Sequence, residues 1–100
     1  MLLLLPQSPP TIPTGQAASH VGEKVIVSGN VTAVTISGDT TFIRFGKANF
    51  VAIILPTAKG KFKNVERLVP KSVLVQGTVR LVHQRAEIVL DDPEQLQVVV

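Results

Sequence analysis

Cysteine, tryptophan and tyrosine are absent from this chain, and phenylalanine occurs only four times. Without cysteine there is no disulfide framework, no thiolate nucleophile and no thiolate-ligated metal. The poverty in aromatics limits stacking on nucleobases or sugars, so any such binding is expected to be weak and sensitive to salt. Histidine occurs twice, as His20 and His83, far apart in sequence, and no Ser or Asp stands at a spacing that implies a triad. An enzyme is therefore not expected, and no cofactor is implied. Long apolar runs are also missing: Met1-Leu-Leu-Leu-Leu-Pro6 falls far short of the roughly 20 residues that span a bilayer.

What is present favours strands. Apolar residues make up 45% of the 100-residue chain and are led by valine, whose branched side chain suits a pleated, half-buried surface. A chain of this length buries roughly 60 to 70% of its unfolded surface, enough for one core and not for two. The net charge is +3, but it is unevenly spread. Between Arg44 and Arg85 nine basic residues face one acid, Glu66. Such a basic middle attracts polyanions, although a solvated lysine-rich loop accounts for part of it.

Residues 1–13 read as a disordered leader or the remnant of an export signal, because four leucines run into a Pro/Ser/Thr/Gln segment too polar to order itself. An export signal would place the protein in the periplasm or outside the cell. Residues 14–100 form the folded domain. Thr14 to Val21 fits a short helical turn ended by Gly22. Val25, Val27, Gly29 and Val31 alternate, and Val34 and Ile36 then continue on the other parity, which marks a bend inside one strand. Ser37-Gly38-Asp39 turns the chain into Thr40 to Phe45, and Gly46 to Asn49 turns it again into Phe50 to Leu55, which Pro56 ends. Ala58, Phe62, Val65 and Leu68 or Val69 recur at helical spacing. Alternation resumes over Ser72 to Val82, His83-Gln84-Arg85 makes a tight connection, and Ala86 to Leu90 is the last strand before Asp91-Asp92-Pro93. Leu96, Val98 and Val100 form a final apolar alternation.

The order strand, strand, strand, helix, strand, strand predicts an all-β five-stranded Greek-key barrel of the oligonucleotide/oligosaccharide-binding (OB) type, with one short helix between strands three and four and a short N-terminal helical turn. Val25 to Val31 and Val73 to Val79 share the pattern V-x-V-x-G-x-V. In that barrel the first and fourth strands are neighbours, and a glycine inside each permits tight coiling and close backbone approach.

These elements resemble the small bacterial OB-fold proteins that look like nucleic-acid-binding or anticodon-binding domains and are often made with an export signal. The resemblance lies in A-x-x-x-x-G (Ala17 to Gly22), the two V-x-V-x-G-x-V copies, T-F-I-x-F-G (Thr41 to Gly46), F-x-A-x-I (Phe50 to Ile54) and E-I-V-L-x-D-P-x-Q-L (Glu87 to Leu96). It covers nearly everything from Ile12 onward. The turn between strands two and three is shorter than in that group and no tyrosine stands near His83, which reduces the area a ligand could touch.

OB barrels bind on the face of strands two and three, flanked by the one-two and four-five loops. Mapped here, the resemblance implies a nucleic-acid-binding set of Phe42, Arg44, Lys47, Asn49, Arg80, His83 and Arg85. If Ile43 and Phe45 point inward, alternation puts Phe42 and Arg44 outside as a stacking platform beside a cation; the alternative register puts Phe42 in the core. Arg80, His83 and Arg85 would grip phosphate, or else protect an edge strand by charge. The expected partner is single-stranded nucleic acid, bound without catalysis. The rival is a protein or glycan partner held by an apolar patch of Val51, Ile53 and Leu74. Lys59-Gly60-Lys61-Phe62-Lys63 lacks the glycine spacing of a phosphate loop. Asp91, Asp92 and Glu94 read as a turn rather than a metal site.

Overall fold

The computed structural model describes residues 9–99. The leucine run and the export reading attached to it lie outside the described residues. At the centre is an antiparallel pair, β2 (Lys24–Asn30) and β6 (Ser72–Thr78), whose register sets Val25 opposite Gly77 and Gly29 opposite Val73. The two copies of V-x-V-x-G-x-V thus face each other, glycine against valine. Val25, Val27, Val31, Val73, Val75 and Val79 are all buried. The glycines point inward with them, and the space a Cβ would take is already used. At Gly77 it would lie 2.5 Å from Ile88 Cγ2, and at Gly29 2.6 Å from Thr14 Cγ2 and 3.1 Å from Phe45 Cδ1. Side chains from across the barrel reach the backbone at both points.

The change of parity after Val31 is a corner. Strand β3 (Ala33–Ser37) leaves the β2–β6 pair and joins β4 (Thr40–Arg44), which pairs with β5 (Phe50–Ile54). Val31 N–H donates to the Lys71 carbonyl and Thr32 N–H to the Arg44 carbonyl, so the corner keeps its backbone bonds while changing partners. A second corner falls at Val79, where β6 passes into β7 (Arg80–Val82), antiparallel to β8 (Arg85–Leu90). Parallel pairing of β5 with β8 completes the order β3-β4-β5-β8-β7. Because β2 with β3 and β6 with β7 are each one bent strand, the two sheets meet at both corners as a five-stranded OB barrel.

Ile43, Phe45, Phe50, Ala52, Ile54, Ala86, Ile88 and Leu90 fill its interior with the valines, and the Phe45 and Phe50 rings meet at 5.4 Å between centroids. A seven-residue 3-10 helix, Thr14–His20, forms the expected N-terminal turn and buries Ala17; Gly22, at φ 86°, follows it. Just before it, β1 (Thr11–Pro13) runs parallel to β2 with Ile12 buried. Residues 11–13, assigned above to the leader, are therefore part of the folded sheet, because one apolar side chain and the open edge of β2 hold them.

The helical segment between β5 and β6 consists of two 3-10 turns, Lys59–Lys61 and Val65–Leu68, rather than one helix. Asn64 separates them at φ 57°, a left-handed conformation that no continuous helix passes through. Phe62, Val65 and Leu68 still pack on the core as their spacing implied. After β8, Asp92 caps the 3-10 turn Pro93–Gln95 by accepting from Glu94 N–H at 3.0 Å, which makes the acidic cluster a turn. Gln95 accepts from the Asp91 and Asp92 amides and donates to the Gln76 and Val89 carbonyls, fixing β9 (Leu96–Val98) against β6. Among the described residues no helix is long and apolar enough to cross a membrane.

Candidate nucleic-acid interface

With Ile43, Ala52, Ile54, Ala86 and Ile88 inside, the opposite parity of β4, β5 and β8 forms the outer face. The register lays out two rows across the strands. One runs Thr35, Phe42, Ile53, Val89; the other runs Ala33, Arg44, Val51, Glu87, Arg80. Phe42 is thus an outer-face residue, half-buried, between the buried Thr41 and Ile43.

Two guanidinium groups approach the Phe42 ring. Arg44 Cζ is 5.6 Å from its centroid and Arg85 Cζ 5.9 Å. Each such contact contributes about 0.5 to 1 kcal/mol at a partly exposed site. Arg44 is held a second time, by donation from Nε to Thr35 Oγ1 at 3.1 Å.

Arg80 and Arg85 meet through a residue that the charge pattern did not single out. Glu87 lies on the outer face yet is only 2% exposed. Its Oε1 accepts from Arg80 Nε at 3.2 Å and is 3.2 Å from Arg80 Nη2, and its Oε2 accepts from Arg85 Nη2 at 2.8 Å. Removing one partner of a fully buried ion pair costs about 3 to 5 kcal/mol. Here both arginine side chains are partly exposed, and screening lowers that figure. Arg44, Lys47, Arg80 and Arg85 with Glu87 leave this face three charges positive.

The remaining candidates sit in the turns around this sheet. Asn49 donates from Nδ2 to the Gln84 carbonyl at 2.6 Å, and its own carbonyl accepts from Ala86 N–H. Its side-chain amide joins two turns through one Nδ2 hydrogen. Lys47 is exposed in the β4–β5 turn, where Gly46, at φ 66°, donates its N–H to Thr32 Oγ1. His83 is exposed in a two-residue turn between β7 and β8; His83 and Gln84 take φ 49° and 65°, the signs of a type I′ hairpin. The structure therefore brings Phe42, Arg44 and Arg85 together directly and Arg80 through Glu87, with Lys47 and His83 at the margins.

The apolar patch does not form. Val51 and Ile53 are 1% and 4% exposed although they face outward, since Phe42, Arg44, Glu87 and Val89 flank them across the ladder and close over them. Leu74 belongs to the other sheet. A pocket of about 270 Å³ also belongs there, lined by Lys24, Gln76, Gly77, Glu94 and Gln95, and it holds none of the candidate residues.

No family model matches the chain. No curated protein matches it either. Solved structures do. An aspartyl-tRNA synthetase from Leishmania major superposes with a TM-score of 0.61 at 14% identity, over 100% of this chain and 22% of the synthetase. An asparaginyl-tRNA synthetase from Pyrococcus horikoshii gives 0.61 at 22% identity, over 88% of this chain and 22% of its own. An OBody bound to hen egg-white lysozyme gives 0.62 at 16% identity and matches 97% of both chains. This chain spans about a fifth of each synthetase and nearly the whole OBody. At these identities the likeness speaks for architecture, and the architecture is that of the OB barrel.

Proposed function

We propose that this domain binds single-stranded nucleic acid, weakly and without catalysis, on the outer face of β4, β5 and β8. The observation that carries the reading is the Phe42 ring, half-exposed on that face with the Arg44 and Arg85 guanidiniums 5.6 and 5.9 Å from its centroid. An aromatic face beside cations is what a base and its flanking phosphates require, and stacking contributes roughly 1 to 3 kcal/mol per base. The row from Arg44 to Arg80 crosses three strand spacings, roughly 14 Å. A chain laid across the strands meets Arg44 at one end of that length and Arg80 at the other. Two of the similar structures are enzymes named for tRNA, which agrees with a nucleic-acid partner for a barrel of this shape.

The OBody on lysozyme agrees with a protein partner for the same barrel. That reading has lost its patch on this chain, because Val51 and Ile53 are covered. Fluorescence anisotropy of labelled single-stranded oligonucleotides, titrated at low and at moderate salt, tests the proposal. Binding at low salt that weakens with salt and with Phe42→Ala supports it; no binding at low salt removes it.

A further inference from the structure

A carboxylate buried in the middle of a basic ligand face lowers the face's attraction for anions. Its register neighbour Val51 and its same-face neighbour Val89 on β8 are apolar, and a valine or leucine at position 87 would continue that surface without desolvating a charge. A buried ion pair is commonly no more stabilising than apolar residues of similar volume. Fold stability therefore gives no sufficient reason for Glu87.

Its geometry gives another. Arg80 and Arg85 stand on the two strands of one short hairpin, and each carries a long side chain that would otherwise sample many rotamers. Glu87 engages both at once, Oε1 toward Arg80 and Oε2 toward Arg85. Arg85, so held, lies with Cζ 5.9 Å from the Phe42 centroid. Arg85 Nε is buried with no hydrogen-bond partner among the described residues, so the guanidinium is placed at the expense of one of its own donors. In both arginines Nη1 takes no part in the clasp and makes no hydrogen bond or ion pair among the described residues.

We infer that Glu87 is a positioning residue: it clasps Arg80 and Arg85 so that both present their free guanidinium edges to an anionic ligand beside Phe42 before that ligand arrives. The inference deepens the nucleic-acid reading and rests on it for the identity of the ligand. Fixing a rotamer-rich side chain in advance removes an ordering cost from binding. The consequence runs against simple electrostatics, since Glu87→Gln adds one positive charge to the face and yet weakens binding.

The test compares wild type, Glu87→Gln, Arg80→Ala/Arg85→Ala and the triple variant, each with a fluorescein-labelled oligothymidylate at low and moderate salt. Arginine Nε–Hε resonances of the free wild-type and Glu87→Gln proteins are recorded alongside. Glu87→Gln is expected to weaken binding about three- to tenfold. In the Arg80→Ala/Arg85→Ala background its effect should fall below about twofold, because coupled residues are not additive. The wild type is expected to show a slowly exchanging Nε–Hε signal for Arg80, whose Nε donates to Glu87, that Glu87→Gln loses. Equal or tighter binding by Glu87→Gln overturns the inference, as does an Arg80 Nε–Hε signal unchanged by the substitution. Should the wild type bind no oligonucleotide, the nucleic-acid reading falls; the clasp then stands if the Arg80 Nε–Hε signal responds as expected and falls if it does not.

Discussion

Asn49 and Gln84, thirty-five positions apart, are joined by a hydrogen bond of 2.6 Å from the Asn49 amide to the Gln84 carbonyl. The bond fastens the β4–β5 turn to the β7–β8 turn, the two loops that border the outer face on one side. A backbone bond from Ala86 N–H to the Asn49 carbonyl runs beside it.

Asn49→Ala should therefore loosen this border without undoing it. One neutral side-chain bond contributes about 0.5 to 1.5 kcal/mol, and for a domain of this size a loss of about 1 kcal/mol lowers Tm by roughly 4 to 8 °C. Thermal melting followed by circular dichroism reads the shift. Amide exchange should quicken at Gln84 and Arg85 before it does in β5. A variant that melts with the wild type would mean that the backbone bond alone holds the turns together.

The β7–β8 turn carries a cost of its own. His83 and Gln84 both adopt positive φ, a conformation that glycine and asparagine accept more readily. Replacing them together by Asn and Gly should raise the urea midpoint, by about 1 kcal/mol in stability, with the m-value unchanged. A lower midpoint would show that the native side chains offset the strain through contacts of their own. Because His83 borders the proposed face, oligonucleotide binding by the same variant separates strain kept for stability from strain kept for a ligand.

Gly29 and Gly77 share one sequence pattern and differ in what surrounds them. Gly77→Ala drives a methyl against Ile88 Cγ2, and Ile88 is fully buried and cannot retreat. The cost should reach about 1 to 3 kcal/mol. Gly29→Ala meets Thr14 first, whose half-exposed side chain can rotate away, so its cost should be smaller. Gly60→Ala meets nothing within 4 Å and should be neutral or slightly stabilising. Urea melts of the three variants test the order, and a Gly77→Ala protein as stable as Gly60→Ala would contradict the close approach of β6 and β8.

Those glycines also mark how far sequence reasoning carries. Their place in V-x-V-x-G-x-V announced neighbouring, tightly coiled strands, and parity placed the corner after Val31, because each depends on one strand's own alternation; for Phe42 parity left two registers, and the structure takes the outward one. Properties set by which strands lie side by side were hidden. Glu87 alternates outward like any surface residue, and only the pairing of β8 with β5 and β7 buries it between two arginines. A count of charges that stops at Arg85 ends two residues short of it. Val51 and Ile53 were mistaken for surface for the same reason, and the bond from Asn49 to Gln84 was hidden because the two are remote in sequence. The break at Asn64 was obscure too, since a spacing of three to four fits two 3-10 turns nearly as well as one helix.

The clasp fixes a number for the salt dependence of binding. On single strands each neutralised phosphate contributes about 0.7 to the slope of log K against log salt. Four independent cations, Arg44, Lys47, Arg80 and Arg85, would give about −2.8. Glu87 already balances one charge of the Arg80–Arg85 pair, so the expected slope is about −2. Arg44→Ala should make it shallower by about 0.7, since that guanidinium is held by Thr35 and not by a carboxylate. Phe42→Ala should weaken binding at every salt concentration, by about 1 to 3 kcal/mol, and leave the slope nearly alone, because stacking releases no counterions. Anisotropy titrations at four or more salt concentrations distinguish these signatures. If Phe42→Ala changed the slope while Arg44→Ala did not, the ring would be serving to hold the arginines in place rather than to stack on a base, and the base-stacking part of the proposed function would be withdrawn.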